Sequence, residues 1–190
     1  MADLGFWALA AEDPAHVALV TPDCEEVTAG ELLASSNQVS HGLRALGLAP
    51  GDAVAVLLPN GREYIELYLA CLQCGWYLVP INHHLVGPEV EYIVRDSEAR
   101  VFVADARFAD AASSFSFDPE RRLSVGGDIE GFRPLSSITS GQPTTLPSDR
   151  TTGLAPPNRP RRQRSRVRKV AQASRQPIFL LLLCDLIVAG

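Results

Sequence analysis

The first 105 residues alternate between short apolar runs and longer stretches in which apolar positions recur at helical spacing. An apolar run bounded by turn residues predicts a β-strand, and an unbroken run is typical of a strand covered on both faces. Four such strands are predicted, at residues 16–20, 53–58, 76–81 and 100–105. The first is followed by the turn Thr21-Pro22-Asp23, with Glu26-Val27 as its candidate hairpin partner.

A helix is predicted between the first two of these strands. Thr28 and Glu31 have the spacing of a capping box, in which a hydroxyl and a carboxylate each satisfy a free backbone N–H. Apolar positions follow from Leu32 to Leu46, and Gly47 supplies the left-handed position that ends a helix. The pattern therefore predicts a helix that begins after Thr28 and ends before Gly47.

Two more helices are predicted between the remaining strands. Apolar side chains from Tyr64 to Leu72 recur at helical spacing, and Gly75 ends the pattern. Pro88-Glu89 suits the first turn of another helix, because proline is tolerated there and glutamate favours the positive end. Strands that alternate with helices over short links indicate βαβ crossovers, so an α/β fold with a largely parallel sheet and flanking helices is expected.

The pattern weakens after residue 105. Residues 123–148 are rich in Gly, Ser, Pro and Thr, which is typical of loops with an occasional strand.

Charge divides the chain into two parts. Residues 1–150 carry a net charge of −12, whereas residues 151–190 carry +7. Lys169 is the only lysine, against 16 arginines, so any mechanism that needs a lysine would have to use it. The basic, proline-containing stretch after Gly153 predicts disorder. It could contact nucleic acid or an anionic membrane surface weakly, although a merely solvated charge run is the simpler interpretation.

The number of cysteines and the two ends of the sequence suggest the cellular compartment. Four cysteines are too few for a disulfide framework in a chain of this length, and the first eleven residues lack a basic secretory signal, so a reducing cytoplasm is expected. The apolar stretch from Ile178 to Ala189 is too short to span a bilayer, but beside a basic stretch it could lie at a membrane surface.

The order and spacing of several motifs resemble the N-terminal part of the adenylate-forming synthetases, especially the acyl-CoA synthetases (fatty-acid–CoA ligases). The residues that carry this resemblance are Thr28-x-x-Glu31-Leu32, Leu43-Arg44-Ala45-Leu46-Gly47-Leu48-x-Pro50-Gly51-Asp52-x-Val54-Ala55-Val56, Leu58-Pro59-Asn60, Glu63-Tyr64, Leu69-Ala70-Cys71-Leu72-x-Cys74-Gly75, Val79-Pro80-Ile81-Asn82, Leu85 and Tyr92-Ile93-x-x-Asp96-Ser97-Glu98-Ala99-Arg100. Arg150-Thr151-Thr152-Gly153 is similar to the approach to that family's phosphate-loop strand.

The resemblance implies a two-step ligation in the intact family. ATP and a fatty or other carboxylic acid give an acyl-adenylate and pyrophosphate, and coenzyme A then takes the acyl group as a thioester. Such chemistry uses a Gly-rich loop with a lysine for the phosphates, acidic residues for Mg²⁺ and ribose, and a mobile C-terminal lysine.

The sequence departs from this pattern after Gly153. Where the family has an apolar strand and the loop Thr-Ser-Gly-Thr-Thr-Gly-x-Pro-Lys-Gly, this chain continues with Leu154-Ala155-Pro156-Pro157 and then arginines. The expected domains are therefore residues 1–153, an incomplete N-terminal part of the large synthetase domain, and residues 154–190, an unrelated tail. The resemblance implies that later sequence would supply partner sheets, so exposed strand edges, an unfilled core and marginal stability are expected. A frameshift after the Gly153 codon would explain the change, and the other two reading frames of the gene are expected to encode the missing loop.

The letters of a phosphate loop recur at Thr139-Ser140-Gly141-Gln142-Pro143-Thr144-Thr145. This stretch lacks a second glycine and a lysine, and no apolar strand leads into it, so a linker is the better interpretation. No catalytic, cofactor-binding or metal-binding residue is assigned, and neither ATP, Mg²⁺ nor coenzyme A is expected to bind this chain alone. Two alternatives stay open: a non-enzymatic fragment that pairs with an intact synthetase, and a binder of anionic surfaces through the tail.

Two other patterns invite a chemical role. Cys71 and Cys74 have a metal or redox spacing, but they lie in an apolar helical pattern without a second Cys/His pair, so core packing is expected. His83 and His84 are adjacent in a loop, and we expect their side chains to point in different directions and His84 to lie at the surface. The aromatic residues Tyr64, Tyr68, Trp76 and Tyr77 are expected to be core or subunit-contact residues.

Overall fold

The computed structural model describes residues 5–148 and residue 150. These residues form a five-stranded parallel sheet with helices on both faces, and a separate antiparallel pair of strands. The elements are α1 (Phe6–Glu12), β1 (Val17–Val20), β2 (Glu26–Thr28), α2 (Ala29–Ala45), β3 (Ala53–Leu57), α3 (Arg62–Cys74), β4 (Tyr77–Pro80), α4 (Gly87–Asp96), β5 (Ala99–Asp105), α5 (Ala109–Ala112), β6 (Arg122–Val125), β7 (Arg133–Pro134) and α6 (Ser136–Thr139). The predicted α/β class is confirmed.

The sheet has the strand order β4-β3-β5-β6-β7, and every neighbouring pair in it is parallel. All five residues of β3 are buried, as its unbroken apolar sequence predicts for a strand with a helix layer on each face. The hairpin predicted at residues 16–27 is also present, because β1 pairs with β2 in antiparallel register.

Two apolar clusters cover the opposite faces of the sheet. On one face, side chains of α2, α3 and α6, among them Leu43 and Leu67, pack against Val54 and Val103. On the other face, α4 and α5 pack against a second set of strand residues that includes Phe102. A third cluster joins α1 and β2 to α2 and α3. For the described residues the expectation of an unfilled core is therefore wrong, because α2, α3 and α4, with the short α5 and α6, already cover both faces of the sheet.

The edges of the five-stranded sheet differ from the prediction. The strand predicted at residues 76–81 is β4, which lies at one edge and is only partly buried. At the other edge lies β7, which has two residues. Pro80 and Pro134 lie on these edge strands, and proline offers no N–H to a further strand. Both edges are therefore short and poorly suited to pairing with another chain.

The helix ends follow the sequence signals. The Thr28 hydroxyl accepts a hydrogen bond from the Glu31 backbone N–H, and the Glu31 carboxylate accepts one from the Thr28 backbone N–H at 2.9 Å. These hydrogen bonds, chiefly that from the Thr28 backbone, lower the pKa of Glu31. Gly47 and Gly75 have φ of 81° and 69°, the left-handed conformation expected just after a helix.

Replacing Thr28 with alanine is expected to lower the free energy of unfolding by about 1 kcal/mol, because the N-terminal hydrogen bond of α2 is lost. Urea unfolding followed by circular dichroism measures the change. Thr21→Ala is a suitable control, because Thr21 also accepts a backbone hydrogen bond but caps no helix. An equal loss in both variants would contradict the capping role of Thr28.

Several short elements lie outside the sequence prediction. Neither α1 nor α6 was expected, and β6 and β7 lie in the region predicted as loop with an occasional strand. None of the helices in residues 5–148 is both long and apolar enough to cross a membrane. The predicted disorder of the basic tail and the apolar stretch from Ile178 fall outside the described residues.

Candidate functional site

The chain changes direction in the sheet between β3 and β5. From β3 it passes through α3 to β4 on one side, and from β4 it returns through α4 to β5 on the other side. In open parallel sheets, the carboxyl ends of the strands at such a switch point form a crevice where ligands commonly bind. The residues that follow these strands are therefore the first candidates for a functional site.

Four loops meet at this edge of the sheet, because the strands are parallel and their carboxyl ends lie together. Residues 59–61 follow β3, residues 82–84 follow β4, residues 105–107 end and follow β5, and residues 126–127 follow β6. We call this set of loops the switch-point edge. Its charged side chains decide which ligands it could hold.

An aspartate and an arginine form a forked pair at the end of β5. The Arg107 guanidinium donates to both carboxylate oxygens of Asp105, and the Arg107 backbone N–H donates to one of them, each at 2.9 Å. The Asp105 side chain is 7% exposed and that of Arg107 is 68% exposed. The hydrogen bonds from the Arg107 side chain are the main cause of the lowered pKa of Asp105. The pair therefore keeps a buried carboxylate ionised beneath a surface guanidinium.

The turn after β6 packs onto the same carboxylate. Gly126 has a φ of 69°, and a Cβ atom at this position would lie 3.1 Å from Oδ2 of Asp105. Both the backbone conformation and the close approach therefore favour glycine. This turn and Arg107 enclose the Asp105 carboxylate from two directions.

The two adjacent histidines contact each other at this edge. The ring centroids of His83 and His84 lie 4.2 Å apart, and the His83 ring stacks on Phe108 at 5.1 Å. The prediction that the two side chains point in different directions is therefore wrong, because the loop turns back and Phe108 provides a surface for the His83 ring. His84 is exposed, as expected. Burial, followed by the charges of His84 and Arg107, lowers the pKa of His83.

The charged side chains at this edge are poorly placed to hold the phosphates of a nucleoside triphosphate. The guanidinium of Arg107, which could supply positive charge, is already paired with Asp105, and Glu63 and Asp23 lie within its electrostatic reach. The lowered pKa of His83 favours its neutral form. Residues 5–148 contain no lysine. Within the same residues, no group of three or more His, Cys, Asp or Glu side chains could hold a metal ion.

The stretch with the letters of a phosphate loop, residues 139–145, lies against α2. The carbonyl oxygens of Gln142 and Thr145 are 3.2 Å and 3.0 Å from side-chain nitrogens of Gln38 and His41 on that helix. Carbonyl oxygens turned inward in this way attach a segment to a helix, whereas a phosphate loop presents N–H groups to its ligand. The structure agrees with the interpretation of this stretch as a linker.

The remaining predicted candidates are core residues. Cys71 and Cys74 are 2% and 1% exposed and belong to the apolar cluster around α3, and burial raises the pKa of the Cys71 thiol. Tyr64 and Trp76 are buried in the same cluster, and burial raises the pKa of Tyr64 to about 12. A buried thiol with a raised pKa is a poor nucleophile and metal ligand, so the prediction of core packing is confirmed.

Sequence reasoning did not single out the Asp105–Arg107 pair. A signal was available, because Asp105 is a charged residue at the end of an apolar strand that borders the switch point. The arginine two residues later could have been recognised as its partner. Spacing alone does not show, however, that Gly126 closes over the carboxylate, since that contact depends on a strand more than twenty residues away in sequence.

Replacing Asp105 with asparagine is expected to lower the free energy of unfolding by about 1–3 kcal/mol near neutral pH, because a buried charged hydrogen bond is lost. The lowered pKa means that the ionised carboxylate stabilises the fold above the ordinary aspartate pKa, and that this stability is lost as the pH falls through the folded-state pKa. Urea unfolding at several pH values should show that the free energies of unfolding of the unaltered chain and of the variant become equal in acid. The control is Asp110→Asn at an exposed position, and a pH-independent difference would contradict the role of the ionised carboxylate.

Three comparisons with known proteins match the same kind of enzyme. The family described as AMP-binding enzyme matches residues 6–162. The fatty acid–[acyl-carrier-protein] ligase ScoC of Streptomyces coeruleorubidus is 32% identical over 124 residues, which cover 65% of this chain and 24% of that protein. The long-chain-fatty-acid–CoA ligase FadD13 of Mycobacterium tuberculosis is 37% identical over 94 residues, which cover 49% of this chain and 19% of that protein.

Solved structures give the same fold. The anthranilate CoA ligase AuaEII in complex with anthranoyl-AMP superposes with a TM-score of 0.64 and 26% identity, over 79% of this chain and 30% of that chain. The N-terminal domain of FACL13 from Mycobacterium tuberculosis gives a TM-score of 0.64 and 27% identity, over 75% of this chain and 36% of that chain. The segment that this chain shares with the first curated relatives spans about a quarter of their length.

Proposed function

The chain belongs to the AMP-binding enzyme family, and on that premise we propose that residues 1–153 correspond to the first part of the large domain of an acid–CoA ligase. Relatives named as ligases of fatty acids and of hydroxybenzoates support a carboxylic acid as the substrate class of the intact enzyme. ATP, Mg²⁺ and coenzyme A would be its co-substrates and metal. A reducing cytoplasm is the proposed compartment, and the buried thiols of Cys71 and Cys74 suit it.

We further propose that the 190-residue chain does not by itself form an acyl-adenylate. The observation that carries this proposal is the neutralised charge at the switch-point edge, where Arg107 is occupied by Asp105. The only lysine of the sequence, Lys169, stands among arginines without neighbouring glycines. The described residues would then serve as a scaffold, on which a nucleotide site is built only by sequence of the kind that the longer relatives contain.

Release of pyrophosphate tests this proposal. The purified 190-residue chain is incubated with ATP, Mg²⁺ and a series of fatty and aromatic acids, with an intact ligase of the family as positive control. The proposal predicts release at the level of the buffer blank for every acid. Release that depends on both the acid and the protein, and that survives further purification, would refute it.

A second proposed role rests on the charge of the tail. Residues 151–190 carry +7, which is sufficient for weak, salt-sensitive contact with anionic surfaces. A variant with Arg161, Arg162 and Arg164 replaced by glutamine keeps the length of the chain and removes three charges. If the tail binds such surfaces, this variant should be retained less than the unaltered chain on vesicles that contain phosphatidylserine. Equal retention of the two proteins would exclude the role.

A further inference from the structure

A relay of hydrogen bonds connects α1 to the other end of the described chain through the interior of the domain. The Trp7 indole N–H donates to Oε1 of Gln73 at 3.1 Å. The amide nitrogen of Gln73 donates to Oδ1 of Asn37 at 3.1 Å and to the Ser40 hydroxyl at 2.6 Å. The amide nitrogen of Asn37 donates to the carbonyl oxygen of Thr144 at 2.7 Å. One continuous path thus joins α1, α3, α2 and the segment after α6.

The groups at the ends of this relay fix the direction of every hydrogen bond in it. The Trp7 indole can only donate and the Thr144 carbonyl can only accept, so the amides of Gln73 and Asn37 each have one orientation that satisfies both neighbours. Gln73 and Asn37 are each 1% exposed, so a flipped or broken amide would leave buried polar atoms without partners. A change that breaks the hydrogen bond at one end of the relay should therefore weaken the hydrogen bond at the other end.

Residues 142–148 together with Arg150, which we call the strap, have contacts beyond the relay. Gln38 and His41 on α2 contact the carbonyl oxygens of Gln142 and Thr145. At its far end, the Arg150 guanidinium carbon lies 5.3 Å from the centre of the Trp7 ring, within the range of a cation–π contact. Trp7 therefore contacts the end of the strap directly and reaches its middle through Gln73 and Asn37.

We propose that Gln73 is the centre of a latch that docks α1 and the strap as one cooperative unit. When the latch is intact, both segments lie against α2 and α3, and the chain leaves the described domain beside α1. When Gln73 cannot donate, the Asn37 amide oxygen loses its donor, so the Asn37 amide is no longer held in the orientation that gives its nitrogen to Thr144. The side chain at position 73 is likewise no longer held by Asn37 and Ser40 in the place where it accepts from Trp7. The two segments then loosen together, although they are more than a hundred residues apart in sequence.

The test compares hydrogen exchange in the 190-residue chain and in the variant Gln73→Glu. Above the pKa of the introduced carboxyl group, the carboxylate can still accept from Trp7 but donates to neither Asn37 nor Ser40, so amides in α1 and in the strap should both exchange about tenfold faster or more. Amides of β3 and β5 should keep their protection. Below the pKa of the buried carboxyl group, the protonated oxygen can donate again, so protection relative to the unaltered chain should recover in acid.

Two further variants separate the latch from local effects. Gln38→Glu makes the same chemical change at a half-buried residue whose side-chain amide donates to the strap, so it should leave α1 unchanged. Trp7→Phe removes the first donor with little loss of volume and should loosen Thr144, which Trp7 does not touch. The proposal is overturned if Gln73→Glu and Trp7→Phe loosen α1 alone, or if exchange at the Gln142 amide, which donates to the Thr139 carbonyl oxygen, stays within about twofold of the unaltered chain. If Gln73→Glu fails to fold, Trp7→Phe alone decides the question: faster exchange in both α1 and the strap supports the latch, and faster exchange in α1 alone overturns it.

Discussion

Replacing Phe102 with alanine is expected to lower the free energy of unfolding by about 3–5 kcal/mol, the largest loss for any single substitution considered for this domain. Phe102 lies in the middle of β5 and is fully buried. Its ring centroid is 5.5 Å from Phe115, 6.3 Å from Phe117 and 5.9 Å from Phe132. Alanine would remove the ring that these three segments share and leave a cavity between the sheet and the segments covering it.

A loss of this size is a large share of the 5–15 kcal/mol that stabilises an ordinary domain. Urea unfolding followed by circular dichroism should therefore give a midpoint far below that of the unaltered chain. Phe108→Ala is a matched control, because Phe108 is only half-buried and its ring stacks at the surface on His83. The cluster around Phe102 would not be a true core if the two variants lost equal stability, or if Phe102→Ala cost less than about 1 kcal/mol.

Replacing Gly42 with alanine is expected to destabilise the domain by about 1–3 kcal/mol, even though alanine is the better helix former. Gly42 lies inside α2, where propensity alone would favour alanine by about 1 kcal/mol. A Cβ atom at this position, however, would lie 2.4 Å from the backbone oxygen of Ile138, a distance that real Cβ atoms do not show. Because the obstacle is backbone, α6 as a whole must move away from α2.

The comparison variant is Ala34→Gly on the same helix, which measures propensity without a clash and should cost about 1 kcal/mol. Thermal unfolding of both variants, with the unaltered chain as reference, separates the contribution of helix propensity from the cost of the clash with Ile138. Gly42→Ala should also release the strap that follows α6, which limited proteolysis would detect as cleavage after residue 139. A Gly42→Ala variant more stable than the unaltered chain would mean that the close approach of α6 to α2 is absent.

Local signals in the sequence predicted the regular half of the fold because each of them depends only on residues that are close together in the sequence. The capping box at Thr28, the glycines that end α2 and α3, and the apolar run of β3 act within a few residues of themselves, and the structure contains all of them. The parallel sheet followed from the alternation of strands and helices. By contrast, the edge position of β4 depends on which strands follow it, and no local pattern in residues 76–81 carries that information.

The features that sequence reasoning missed depend on contacts between distant segments. The first helix has no polar cap and is held by Gln73, a residue that a helical pattern marks only as polar. A polar residue inside an apolar helix is a signal for a buried network, but its partners Trp7 and Asn37 lie 66 and 36 residues away. The pairing of Asp105 with Arg107 is local and could have been predicted, whereas its closure by Gly126 could not.

The central claim is that the described domain is a scaffold of the AMP-binding enzyme fold without a phosphate site of its own. Equilibrium dialysis of labelled ATP with Mg²⁺ against the 190-residue chain tests it most directly, with an intact ligase of the family as the positive control. We predict no saturable binding up to about 1 mM ATP, since the Arg107 guanidinium at the switch-point edge is already paired with Asp105. Saturable binding of one ATP per chain, displaced by an acyl-adenylate analogue, would contradict the claim.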